Sequence, residues 1–247
     1  MNKDKIFAQK TQAVADFNFG ESTAQVFEDM LDRSIPLYRE VQRMMGELAA
    51  EFAVSGTNVY DLGCSNGITL ETLDTAIRAA DKRVHLVGID YSRPMLEKAA
   101  QRFAARGKGE APEFVYGDLN EGCRIENASV VVLNLTLQFV RPLFRDRLVR
   151  SIREGLNPNG CLILIEKVLG NDSLFNRLFI KFYYDLKRRN DYSDMEIAQK
   201  REALENVLIP YRIDENVELL KRNGFASVDV FYKWYNFAGL VGVVTEQ

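Results

Sequence analysis

The chain is expected to adopt an α/β fold: a doubly wound, mostly parallel, seven-stranded sheet with an antiparallel C-terminal edge and an inserted helical segment. Three observations predict it. Strand-like apolar runs alternate with helix-patterned stretches from residue 58 to residue 166. The strand runs, such as VHLVGID at 84–90, are almost continuously apolar, as strands covered on both faces are. The first strand also runs into a glycine-marked turn, Val59-Tyr60-Asp61-Leu62-Gly63-Cys64-Ser65-Asn66-Gly67, that leads straight into a helix.

The elements follow in order. Residues 1–20 are polar and irregular, an arm that could cover a site. Val26, Phe27, Met30 and Leu31 give a helix over Ser22–Asp32. Ser34-Ile35-Pro36 restarts a second helix, with Pro36 suited to its first turn and Tyr38 just inside. That helix should bury Val41, Met44, Met45, Leu48 and Phe52. Strand one is Asn58–Leu62, followed by helix Thr69–Ala80. Strand two, Val84–Asp90, ends in an acid, and helix Pro94–Arg106 follows. Strand three is Glu113–Tyr116 and runs into Gly117-Asp118-Leu119-Asn120. Strand four, Ala128–Leu133, is closed by Asn134. Helix Pro142–Leu156 and the turn Asn157-Pro158-Asn159-Gly160 lead to strand five, Cys161–Glu166. Two strand-like runs within Val228–Val244, turning near Tyr235-Asn236, supply the antiparallel edge. The 247 residues suit one domain, with residues 1–55 as a helical cap and 169–212 as the insertion.

Composition narrows the function. The net charge is −3 and the pI about 5.5. A nucleic-acid binder usually carries a basic surface, so a small-molecule substrate is favoured. Cys64, Cys123 and Cys161 are widely spaced, without metal-site spacing, and the single histidine, His85, excludes a histidine metal cluster. His85 reads as a surface residue at a strand start. The N-terminus has no secretory core and no apolar run is long enough to span a membrane, so a cytoplasmic location is expected.

In doubly wound sheets, ligands bind beyond the carboxyl ends of the strands. Four polar markers fall there: Asp61 with the turn Gly63-Cys64-Ser65, then Asp90, Asp118 and Asn134. A dinucleotide fingerprint would need glycines at 63, 65 and 68, and the last two are Ser65 and Ile68. A P-loop lysine is also missing. An acidic site without a phosphate cradle suits a cationic nucleoside, and S-adenosyl-L-methionine is such a ligand. Asp90 can accept both ribose hydroxyls and Asp118 the adenine amino group. Gly63 lets the backbone come close to the methionine portion.

The insertion is unusual for its length. Phe175, Leu178, Phe179, Phe182, Tyr183 and Leu186 share one face of a helix over Ser173–Arg189, a packing or dimer surface. Ser193-Asp194-Met195-Glu196 is a capping box for the next helix. Ile197, Leu204 and Leu208 define its apolar face, and Arg201 points nearly the same way. A guanidinium there needs an anionic partner, either an acid of the fold or a ligand carboxylate.

Several longer segments carry a resemblance: AQVFEDMLDRSIPLY (24–38), VYDLGCSNG (59–67), ENASVVVLNLTLQFV (126–140), EGLNPNG (154–160) and DYSDMEIAQKREALENV (191–207). They resemble the carboxy-S-adenosyl-L-methionine synthase family, from about residue 7 to the end. The resemblance implies the class I methyltransferase fold turned to another reaction. S-adenosyl-L-methionine and prephenate would give carboxy-S-adenosyl-L-methionine and phenylpyruvate, the methyl carbon capturing carbon dioxide as a sulfonium ylide. A companion enzyme would then carry the carboxymethyl group to the tRNA wobble uridine. The family's ligand contacts fall on Tyr38, Gly63, Cys64, Ser65, Asp90, Tyr91, Asp118, Leu119 and Asn134. Its carboxylate-gripping arginine falls on Arg201, and a homodimer is implied. No metal is required. The chain departs from the family at Ile165-Glu166-Lys167-Val168, at Tyr183-Tyr184-Asp185 and at Trp234-Tyr235-Asn236-Phe237. Tyr184, Lys187 and Trp234 become candidates for the prephenate pocket. The alternatives are a methyltransferase for a small acidic acceptor and a silent S-adenosyl-ligand binder; a methyl group would leave Arg201 nothing to grip.

Overall fold

The computed structural model describes residues 2–11, 13–107 and 110–245. Two helices, α1 (Glu21–Ser34) and α2 (Tyr38–Phe52), precede the first strand. Then come β1 (Asn58–Leu62), α3 (Ile68–Ala79), β2 (His85–Asp90), α4 (Arg93–Arg106), β3 (Glu113–Tyr116) and β4 (Ala128–Asn134). A single 3-10 turn, Leu137–Phe139, leads to α5 (Pro142–Gly155) and β5 (Leu156–Lys167). The insertion holds α6 (Ser173–Arg189) and α7 (Asp194–Leu204); α8 (Ile213–Arg222) follows it, and then come β6 (Ser227–Trp234) and β7 (Phe237–Val243).

The sheet order is β3-β2-β1-β4-β5-β7-β6. β1 to β5 pair in parallel, and β7 runs antiparallel to both β5 and β6. This is the expected mixed sheet, with its topological switch point between β1 and β4. Alternation along each strand divides the core between the two faces. Leu62, Ile89, Leu133 and Leu164 pack with Leu148 and Ile152 of α5 and Leu219 and Leu220 of α8. Val59, Leu86, Val132 and Ile163 pack with Met45 of α2, Leu70 and Leu73 of α3, and Tyr183 of α6. Both faces are dry, which explains why the strands read as unbroken apolar runs.

Two local expectations are corrected. Ser34 belongs to the last turn of α1, and Pro36 lies in the corner after it rather than in the first turn of α2. The chain turns through left-handed Leu37, at φ 53°, before α2 starts at Tyr38. Tyr232 on β6 donates its hydroxyl to the Pro36 carbonyl at 3.1 Å, so a distant strand holds the corner. The turn at 157–160 is a bulge inside a longer strand. Ala128 pairs with Leu156 but Val130 with Cys161, and the Asn159 amide donates to the Val244 carbonyl at 2.9 Å. His85 does open β2, half-exposed, with Nε2 3.5 Å from Glu113.

Leu133 is fully buried at the centre of the sheet. Leu133→Ala should lower the unfolding free energy by about 2–5 kcal/mol, read from urea denaturation with an unchanged m-value.

Candidate active site

A cavity of about 370 Å³ lies beyond the carboxyl ends of the parallel strands. Its floor comes from the turn after β1 and from the ends of β2, β4 and β5, through Gly63, Asp90, Asn134 and Lys167. Phe17 and Phe19 from the N-terminal arm, Met30 of α1 and Leu204 of α7 close it from above. The arm is tied down. Gln199 of α7 donates to the Phe7 and Gln9 carbonyls at 2.8 and 2.9 Å, and the Phe17 amide donates to the Ala203 carbonyl at 2.9 Å.

Asp90 is the hinge of this floor. The Ser65 amide donates to its Oδ2 at 2.9 Å and the Ser92 amide to its Oδ1 at 2.8 Å. Burial raises its pKa and these amides pull it back down. One carboxylate thereby fixes both the glycine turn and Ser92, whose hydroxyl accepts the Met95 amide at the start of α4. Gly63 sits at φ 78°, and a Cβ there would lie 2.5 Å from the Thr136 side chain. The glycine is therefore needed for the turn and for the approach of the β4 loop, not for a ligand alone. Asp118 accepts the Asn120 amide and side chain on Oδ1, each at 2.8 Å, leaving Oδ2 for the cavity. Tyr91 and Phe139 flank Phe19 edge-on, with ring centroids 6.2 and 5.2 Å away.

A second set of polar groups joins α2 to β4. Gln42 donates to the Tyr38 hydroxyl at 2.9 Å and to Thr69 Oγ1 at 3.0 Å; Asn134 also donates to Thr69 Oγ1 at 3.0 Å. Gln42 Oε1 and Asn134 Oδ1 are then buried acceptors without a described partner. Such atoms are costly unless a donor arrives, and an ammonium group supplies one.

A family model described as a methyltransferase domain matches residues 60–162. Carboxy-S-adenosyl-L-methionine synthase from Methylococcus capsulatus is 55% identical over 243 residues, covering 98% of this chain and 100% of the relative. The synthases of Desulforapulum autotrophicum and Desulfotalea psychrophila are 44% and 42% identical. They cover 100% and 98% of this chain, and 99% and 97% of their own. The chain belongs to the carboxy-S-adenosyl-L-methionine synthase family.

Solved structures support the fold alone. Human N-acetylserotonin methyltransferase, in complex with SAM, aligns with TM-score 0.61 at 14% identity, over 92% of this chain and 56% of that one. A putative S-adenosylmethionine-dependent methyltransferase of Methanococcus maripaludis gives 0.60 at 16%, over 96% and 99%. Membership makes the chain an enzyme of S-adenosyl-L-methionine chemistry, with carboxy-S-adenosyl-L-methionine as the product the family is named for. The residues fit that substrate: acceptors at one end of the cavity suit a ribose, and the orphaned amide oxygen of Asn134 on the lining suits an ammonium.

All nine expected contacts of the synthase family, Tyr38, Gly63, Cys64, Ser65, Asp90, Tyr91, Asp118, Leu119 and Asn134, line this one cavity. Arg201 does not. It is exposed, and among the described residues it has no hydrogen bond or ion pair. The buried face of α7 is Ile197, Gln199, Lys200 and Ala203. The N-terminal arm covers the Gln199 and Ala203 side, which turns the inward face about a quarter turn from the one that Ile197, Leu204 and Leu208 imply. Lys200 therefore faces in and Arg201 faces out. Tyr184, Lys187 and Trp234 also lie outside the lining, whereas Tyr183, Lys167 and Lys200 belong to it. Lys167 ends β5 beside Asn134 at the end of β4, so the strand-end rule extended to the fifth strand would have found it.

Asp61, the remaining strand-end marker, is also absent from the cavity lining. It is 1% exposed, and neither oxygen has a described partner of normal geometry. Burial and then the Asp90 charge push its pKa up to about 8, with weak relief from the Leu70 amide. Glu166 is likewise raised to about 8 by burial, against the pull of Arg145. The folded chain thus keeps protons that the unfolded chain releases above about pH 4. Stability of the ligand-free protein should fall as pH rises from about 4 to 8. Asp61→Asn should make that fall shallower, by at most about 1.4 kcal/mol per pH unit, in denaturant titrations between pH 5 and 7.5.

Proposed function

We propose that the enzyme converts S-adenosyl-L-methionine and prephenate to carboxy-S-adenosyl-L-methionine and phenylpyruvate. The observation that carries this reading is one cavity lined both by nucleoside-suited acceptors at the strand ends and by lysines on its far side. A sulfonium and an ammonium suit the first set; a polyanionic co-substrate suits the second. In the reaction a methyl C–H bond is exchanged for a bond to the carboxyl carbon of prephenate. The proton and the ring hydroxyl leave together as water, and aromatisation to phenylpyruvate drives the exchange. Asp90 holds the ribose and Asp118 the adenine amino group. Gly63, Cys64, Ser65, Tyr91 and Leu119 complete the nucleoside walls, and Tyr38 and Asn134 position the methionine end. The aromatic arm keeps water from the reacting carbon.

The product is the carboxymethyl donor for a companion enzyme of tRNA wobble-uridine modification. A net charge of −3 agrees with an enzyme that hands on a small molecule and does not itself grip RNA. The proposed setting is the cytoplasm; among the described residues no helix is long and apolar enough to cross a membrane.

The working unit is a homodimer. Leu174 and Phe175 are exposed on α6, Phe175 at 54%, and the Phe175, Phe179, Phe182 and Tyr235 rings form one continuous aromatic patch. A second copy would cover it. Arg201 points outward in its own chain, so its proposed hold on the product carboxylate is exerted across the subunit contact.

Incubation with both substrates should yield phenylpyruvate and a bound nucleoside heavier than S-adenosyl-L-methionine by one carbon dioxide unit. Mass spectrometry showing only the unmodified compound would reject the reaction. Arg201→Ala chains and Asp90→Asn chains should each be inactive alone and recover turnover when exchanged into mixed dimers. No recovery would mean that Arg201 serves its own chain.

A further inference from the structure

The far side of the cavity holds an unbalanced group of cations. Lys167 closes β5, Lys187 lies in the last turn of α6, and Lys200 lies on α7. Lys187 and Lys200 are only 5% and 7% exposed. Their ammonium groups have aromatic neighbours rather than acceptors. Lys167 Nζ and Lys187 Nζ lie 5.1 and 4.9 Å from the centroid of Tyr183. Lys200 Nζ lies 5.8 Å from Tyr192 and 6.0 Å from Phe17. No described side chain or carbonyl accepts a hydrogen bond from any of the three within normal distance.

One carboxylate answers them. Asp4 Oδ2 is 3.9 Å from Lys200 Nζ, and it already accepts the Tyr192 hydroxyl at 2.7 Å. Arg33, stacked 3.9 Å over Tyr192, is committed to Asp29 and to the Asp4, Asn190 and Asp191 carbonyls. Three lysines against one carboxylate leave at least two without an anionic partner in a buried, mostly aromatic space. Burial lowers the pKa of Lys167 and of Lys200 to about 8, and the like charges of Lys200 and Lys167 add to burial in lowering Lys187. A fold does not keep such an arrangement for stability, because unpaired buried charge is costly. It is suited to a ligand that brings two negative charges.

We propose that Lys167 and Lys200 bind the carboxylates of a dianionic co-substrate, with Lys187 behind Tyr183 strengthening the positive field. This rests on the reading of prephenate, a dicarboxylate, as the carboxyl donor. Lys167 and Lys200 line the cavity directly, and Lys187 reaches it only through the Tyr183 ring. The acids at one end and the lysines at the other sort the two substrates by charge. The cation enters the strand-end side and the dianion the side formed by the insertion.

The test is calorimetric titration of prephenate into protein saturated with S-adenosylhomocysteine, which has no sulfonium methyl to react. Lys167→Met and Lys200→Met should each weaken prephenate on the order of 10- to 100-fold. S-adenosylhomocysteine affinity should change by less than about twofold, well under the step expected for a lost charged contact. Lys221→Met, at the exposed end of α8, should leave both unchanged. Lys167 has no ion pair to lose, so Lys167→Met should raise the melting temperature of the ligand-free protein, and Lys200→Arg should keep prephenate binding where Lys200→Gln loses it. Unchanged prephenate affinity in the Met variants, or equal loss of both ligands, overturns the site. If the wild type ignores prephenate, malonate and succinate are titrated in the same way. Lysine-dependent binding of either keeps the anion site while rejecting prephenate. Failure of all three dianions overturns the site itself.

Discussion

The Asp90 carboxylate is the contact on which the site's geometry depends. It stands at the end of β2 and takes one amide from the glycine turn and one from the loop that opens α4. Without an acceptor there, two buried amides lose their partner and two loops lose their common anchor. The same side chain retains lone pairs facing the cavity. The proposed ribose contact and the loop architecture therefore share one residue, and the parallel sheet behind it supplies the rigidity that makes the arrangement reproducible.

Around that anchor the cavity is divided by charge. Acids and amide oxygens gather where β2, β3 and β4 end; lysines gather where β5 meets α6 and α7. The N-terminal arm covers both parts, held by Gln199 and by the buried Asp4. The proposed second, anionic substrate requires no change to the nucleoside half of a methyltransferase fold. Apart from Lys167 at the end of β5, the addition is made by elements outside the alternating core, namely the arm and the helices inserted after β5.

Most of the nucleoside half was legible from local pattern. The strands at 58–62, 113–116 and 128–134 were placed by apolar runs closing on a polar residue, and Ser193 with Glu196 announced the start of α7. Local pattern failed where a distant segment decides which face is inside. Arg201 was placed on the apolar side of α7 by the spacing of Ile197 and Leu204. The arm, some 190 residues earlier in sequence, buries Gln199 and Ala203 instead and brings Lys200 inward. Pro36 was read as a helix start, but Tyr232 of β6 holds it in a corner.

The sequence by itself determined the fold class and the strand ends with the glycine turn, Asp90, Asp118 and Asn134, because periodicity and residues a few positions apart are displayed by a linear chain. Tyr38, Tyr91 and Leu119 came from the resemblance to the synthase family, and all nine residues line one cavity. Tertiary structure alone decided that Asp61 is buried off the cavity lining, that Gly63 is required by Thr136, and that Lys167 of β5 and Lys187 of α6 meet at Tyr183 while Lys200 of α7 lies against Tyr192. Each depends on which surfaces become neighbours when the sheet closes, and burial, not spacing, then sets the electrostatic cost of every charge placed there.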